Sequence, residues 1–190
     1  LNDKGVSVVI NKLVPLDSRP GVVYPFLIRR ALDQRRIGDA LAGLAFAPRA
    51  SGLCYQLACP EGVAFCLETT AAQHQVLRFS HGLAHTNHYL SPQLQPLEAD
   101  WLDQGGSYVR LEVAQDTLDD NRGKVTVGLL QNLCRNHINE PRSICAHFFP
   151  DEPEHQAMAT ISAVVIEPGK LTMHFADCFP CQQEFVAVKL

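Results

Sequence analysis

No stretch of this 190-residue sequence is apolar for long enough to cross a bilayer, and its first residues lack the charged and apolar regions of a secretion signal. A membrane partner is therefore not expected, and a cytoplasmic setting is, with an organelle as the alternative. An excess of basic charge is missing too. Sixteen Lys and Arg stand against 20 Asp and Glu, for a net charge of -4. A nucleic-acid partner needs at least an electropositive footprint, so that class is set aside. The basic pairs Arg29-Arg30 and Arg35-Arg36 read as the wet face of a helix.

Several catalytic signatures are also lacking. There is no G-x-G-x-x-G, no Walker A loop and no H-E-x-x-H, and no G-x-S-x-G nucleophile elbow. The seven cysteines include one C-x-x-C, Cys178-Phe179-Pro180-Cys181, but no second such pair completes a four-cysteine zinc cluster. Their odd number argues against a fully paired disulfide framework, so reduced and mostly buried thiols are expected. His74, His81, His137, His147 and His155 are scattered, and no spacing among them predicts a metal site. Met158 and Met173 suit core packing. No cofactor and no resident metal are expected.

What is present reads as an ordinary globule, 46% hydrophobic and 19% charged, with no repeat and no persuasive domain boundary, so 1–190 is taken as a single domain. The β-branched run Val6 to Ile10 predicts a strand ending at Asn11. Helices are expected over 24–34, where Pro25 suits the first turn, and over 37–47. Residues 52–59 and 62–69 flank Pro60-Glu61-Gly62 as a hairpin, and 75–79 suit a third strand there. A helix is expected after a break at Gly105-Gly106, and another over 124–135 with Val127, Leu130 and Leu133 inward. Trp101 is one of the scattered apolar positions before that break, and 136–156 reads as loop. A late hairpin, 159–167 and 170–176 around Pro168-Gly169, precedes a last strand over 183–190. Strands in neighbouring hairpins and helices in pairs predict an α+β fold of antiparallel sheets under helical layers.

The most polar motif in an apolar setting is His85-Thr86-Asn87-His88 within Gly82 to Ser91. The Asn87 amide can donate to a developing oxyanion, and equally it can tie down its own loop. In an extended stretch His85 and His88 face opposite ways, which disfavours a shared metal. Asn11, at a strand end, can reach a pocket or simply form a turn. Asp17 and Arg19 can bind polar substrate groups or pair locally.

Four segments, taken in order and spacing, resemble one family. They are Leu1 to Asn11 (LNDKGVSVVIN), Gly21 to Leu32 (GVVYPFLIRRAL), Ala84 to Leu90 (AHTNHYL) and Ala159 to Leu190. The family is that of the acyl-coenzyme A:6-aminopenicillanic acid acyltransferases, which are N-terminal-nucleophile hydrolases related to the C45 peptidases. The resemblance implies a four-layer αββα sandwich whose first strands lie outside this chain, making 1–190 the C-terminal portion of a β-subunit-like unit. It also implies a precursor that cleaves itself before a cysteine, usually at Gly-Cys. The freed cysteine is the nucleophile, and its own α-amine, with a pKa near about 8, shuttles the proton. Carried over by motif, Asn87 becomes the oxyanion-stabilising amide and Asn11 lines the same site. Asp17, Arg19 and His88 are the expected substrate contacts. An acyl-thioester such as acyl-coenzyme A enters only as substrate, alongside a small-molecule amide or peptide-like compound.

Two departures stand out. None of the seven cysteines follows a glycine, so the nucleophile is expected upstream of Leu1, in a segment that also completes the sheets. The arginine that relatives carry just before the late hairpin is replaced by His155-Gln156-Ala157-Met158-Ala159-Thr160. The alternative reading is an inactive fragment or homologue serving as a structural or binding subunit. A thiol redox protein using Cys178 and Cys181 ranks third, and homo-oligomerisation stays open.

Overall fold

In the computed structural model, which describes residues 1–100, 104–148 and 158–190, the β-branched run forms β1 (Ser7–Lys12). It pairs antiparallel with β2 (Leu53–Ala58), which pairs with β3 (Ala64–Thr69), which pairs with β4 (His74–Leu77). The sheet order is β1-β2-β3-β4, so β1 stands at an edge with no further strand partner among the described residues. The expected end of β1 at Asn11 shifts by one: Asn11 pairs with Cys54 and Lys12 with Leu53.

One face of this sheet is apolar because alternate residues of each strand carry the large side chains. Val8 and Ile10 of β1 join Tyr55, Leu57 and Leu67 against α1 (Tyr24–Leu32) and α2 (Ile37–Ala45). Helix α1 starts with Pro25 in its first turn, where no amide hydrogen is needed, and buries Leu27 and Ala31 one turn apart. Helix α2 buries Ala40 and Leu44 by the same spacing. Its last carbonyls are capped from outside. The buried Arg49 guanidinium donates to the carbonyls of Leu44 and Ala45, and to those of Thr70 and Gln73 beyond β3.

The second sheet is β5 (Ser162–Glu167), β6 (Thr172–Asp177) and β7 (Val186–Lys189), all antiparallel in that order. Val165 and Ala176 are buried on one face, whereas Val164, Phe175, Val186 and Val188 on the other are exposed. Helices α3 (Gln104–Asp120) and α4 (Val127–Cys134) are consecutive in the chain, and α4 packs on β5. Thr126 caps α4, its hydroxyl accepting from the Leu129 amide at 3.1 Å. Gly105 and Gly106, expected as a break, lie inside the first turn of α3. Trp101 and residues 149–157 of the expected loop fall outside the described residues.

The architecture is α+β, two antiparallel sheets flanked by helix pairs, as in an N-terminal-nucleophile αββα sandwich. A cavity of about 500 Å³ separates β1 and β2 from α4 and β5, lined by Val9, Gln56, Leu130 and Val164 among others. Asn11 shares the sheet face of Val9 by alternation, so it looks toward this space between the sheets.

Candidate active site

The irregular segment Gly82 to Ser91 has no helix or strand hydrogen bonding of its own, so its backbone must be held by side chains. Glu68, at the end of β3 and wholly buried, supplies much of this. Its Oε1 accepts the Leu90 amide at 2.6 Å and its Oε2 the Ser91 amide at 2.9 Å. His85 Nε2 lies 2.8 Å from the same Oε1, and His85 Nδ1 is 2.8 Å from the Thr86 carbonyl. That carbonyl can only accept, so Nδ1 carries a hydrogen. Tyr89 donates its hydroxyl to the Thr69 carbonyl at 2.8 Å, and Gln115 on α3 accepts the Ala84 amide.

A second set of contacts comes from the start of α3. Ser107 Oγ accepts the Asn87 amide at 2.8 Å and lies 2.8 Å from His88 Nδ1, while Thr86 donates to the Ser107 carbonyl. His88 is buried against Tyr108, ring centroids 4.1 Å apart. Burial, with the nearby His85 and Arg110, pulls its pKa down to about 4 despite the opposing pull of Glu68, so it is neutral at pH 7.

These contacts hold Asn87 at the end of β1. Its Nδ2 donates to the Lys12 carbonyl at 3.2 Å, and its Oδ1 accepts from Arg110 at 3.2 Å. An amide nitrogen has two hydrogens, so one remains for another acceptor. The side chain borders a pocket of about 500 Å³ that Lys12, Arg110, Arg142, Ser143 and Thr160 also line.

Not all of the expected site residues converge here. Asn11 reaches the same end of β1, one residue from the carbonyl that Asn87 binds, but on the face toward the inter-sheet space. Asp17 instead receives Thr70 Oγ1 and the amides of Ala71 and Ala72 at 2.8–3.0 Å. Burial works against its ionised form, yet those hydrogen bonds win and hold its pKa below the ordinary value. Arg19 donates to the Ala71 carbonyl. Both residues therefore fasten the β3–β4 turn. His88 is a packed support behind Asn87 and does not line the pocket. Glu68, Ser107 and Arg110 escaped the sequence reading because their only signal is spatial: they meet Asn87's loop from 17 or more residues away.

The cysteines show no candidate nucleophile beside Asn87. Cys54 and Cys66 lie side by side in the core, 3.4 Å apart, and burial pushes the Cys54 thiol far up. Burial also raises the thiols of Cys59 and Cys134. A protonated thiol is a poor nucleophile. Among the described residues of the pocket there is no cysteine.

The sequence model of the family described as acyl-coenzyme A:6-aminopenicillanic acid acyl-transferase matches residues 1–176. The chain belongs to this family. No curated protein sequence matches it. Membership in the acyl-transferase family, together with the paired antiparallel sheets, makes it part of an autoprocessing cysteine N-terminal-nucleophile enzyme. Such an enzyme moves an acyl group from an amide through a thioester, and the chemistry needs no cofactor. The region that carries the nucleophile is not among these residues, in keeping with seven cysteines of which none follows glycine.

Proposed function

We propose that this chain contributes the amide-binding half of an acyl-transfer site on small amide or peptide-like substrates, with Asn87 as the oxyanion donor. The observation that carries the reading is the hold on the Asn87 side chain between the Lys12 carbonyl and Arg110, with one amide hydrogen left over at the mouth of a pocket. A preorganised donor of this kind stabilises charge that develops only as the tetrahedral intermediate forms.

The nucleophile comes from a cysteine-led segment that adds to the free edge of β1. Among the described residues that edge has no further strand partner, and it ends at Lys12 beside Asn87. The thiolate attacks the amide carbonyl, the oxyanion receives the Asn87 hydrogen, and the cysteine's own α-amine passes the proton to the leaving amine. Water or an amine acceptor then takes the acyl group from the thioester. Asn11 sits on the inner sheet face at the same strand end and lines the site from that side.

The test starts with the intact mass and N-terminal residue of every polypeptide that accompanies this chain in its native source. It continues with a panel of acyl amides. A cysteine-led polypeptide is expected, and Asn87→Ala should lower kcat by about 100- to 1,000-fold. An Asn87→Ala enzyme with unchanged kcat would remove Asn87 as the oxyanion donor, and a chain with no cysteine-led partner that binds amides without turnover would point to a binding subunit.

A further inference from the structure

Outside the site just described, the fold gathers four metal-ligating side chains from three separate segments. His137 follows α4, Cys145 and His147 lie in the loop beyond it, and Cys181 closes the C-x-x-C after β6. One ligand atom from each lies within 4.8 Å of all the others. Nε2 of His147 is 3.1 Å from Nε2 of His137, 3.3 Å from Sγ of Cys181 and 3.7 Å from Sγ of Cys145.

Hydrogen bonding alone does not account for this convergence. A single imidazole nitrogen has either one hydrogen or one lone pair, so it serves one close partner, not three. A shared cation does account for it. Around a tetrahedral zinc ion, with bonds of about 2.0–2.1 Å to nitrogen and 2.3 Å to sulfur, ligand atoms lie about 3.4 Å apart for N to N and about 3.6 Å for N to S. The three distances here bracket those edges within about 0.3 Å.

We propose that His137, Cys145, His147 and Cys181 form a structural Zn²⁺ site. The two thiols release their protons to solvent and bind as thiolates, and the two imidazoles bind neutral, so the occupied site carries no net charge. Four protein ligands leave no open position, which makes the site a clamp and not a Lewis-acid centre. The surroundings already hold the ligands in place. Ser143 donates to the Cys145 carbonyl at 2.7 Å, and the Cys145 amide donates to the Asn136 carbonyl. The His147 ring stacks on Phe179 with centroids 4.3 Å apart, and Arg135 donates to the Pro180 carbonyl at 2.8 Å. Supports of this kind are what orient metal ligands.

The clamp also bears on the pocket beside Asn87. Ser143, Ile144 and Ala146, all within two residues of Cys145, line that pocket. Tying Cys145 and His147 to Cys181 fixes that wall to the loop after β6. The metal site itself does not depend on the acyl-transfer reading.

The test is zinc and cobalt titration of the chelator-stripped, reduced protein, with thermal unfolding as a second readout. We expect one Zn²⁺ per chain and a raised Tm. Cobalt should give the intense visible bands of a tetrahedral ion, with thiolate charge transfer. Cys181→Ser and His137→Gln should each weaken binding by at least about 100-fold, and Cys178→Ser should leave it unchanged. His137 is exposed, so His137→Gln keeps the test decisive where Cys145→Ser fails to fold. No bound metal, an octahedral cobalt spectrum without thiolate charge transfer, or equal weakening by Cys178→Ser would overturn the site. So would a Cys145–Cys181 disulfide that persists in reductant.

Discussion

Nε2 of His85 lies 2.8 Å from Oε1 of Glu68, and neither side chain has any exposure to solvent. The same carboxylate receives two backbone amides of the Asn87 loop. Glu68 is thus the post on which the site is hung. Glu68→Gln replaces one acceptor oxygen with a donor, which then faces an N–H group. The expected loss is about 3–5 kcal/mol of stability, the range for breaking a buried pair from one side. Denaturant unfolding measures it, and a loss below about 1 kcal/mol would mean that the loop is held elsewhere.

Stability should also fall in mild acid because of His88. Burial is the main reason its folded pKa is pushed to about 4 from the ordinary 6.5. The unfolded chain takes up this proton near its ordinary value while the folded chain refuses it. The contribution is therefore fully present above about pH 6.5 and drains away as pH falls toward about 4. The groups that face the ring are His85, Glu68 and Arg110 with the Ser107 hydroxyl. The slope of Tm against pH across this window should flatten in His88→Gln. An unchanged slope would assign the acid sensitivity to another group.

Arg49 makes a separate prediction about the fold. Its guanidinium satisfies four carbonyls from α2 and from the β3–β4 turn while only 2% exposed. Burial pulls its pKa below the ordinary value, with Tyr55 and Asp17 opposing. Arg49→Met removes the guanidinium from all four carbonyls, of which only that of Gln73 keeps a further donor, the Thr70 amide, at an expected cost of about 3 kcal/mol or more. Arg49→Lys should recover only part of that, because an ammonium cannot span carbonyls this far apart. Equal urea midpoints for the two variants would contradict this.

Arg110 is expected to act through Asn87 by holding its Oδ1. Arg110→Gln in the active enzyme should lower kcat by about tenfold, with KM and Tm moving much less. A parallel loss of Tm would make Arg110 a structural residue only.

The periodicity of the chain was informative where neighbours in sequence are neighbours in space. The hairpin at Pro60-Glu61-Gly62, the helices begun near Pro25 and Ile37, and the late hairpin at Pro168-Gly169 all form within a few residues of their expected bounds. Single residues are weaker punctuation than the pairing around them. Asn11 continues β1 because Cys54 on β2 pairs with it, and Gly105-Gly106 start α3 where the sequence suggested a break. The polar loop around Asn87 was visible as a motif, but its support was not. Glu68, Ser107 and Arg110 reach it from β3 and α3 with no periodic signature.

Composition and local pattern were enough to give antiparallel sheets under helix pairs and to carry the family resemblance that the 1–176 match bears out. Hydrophobic alternation and turn chemistry are local, and a chain states them in order. Folding in three dimensions decided the rest. It turned Asp17 and Arg19 away to brace a turn, buried His88 behind the site, and brought His137, Cys145, His147 and Cys181 together. Those outcomes depend on which distant segments share a few ångströms, and side-chain chemistry at that range acts through distance in space and not along the chain.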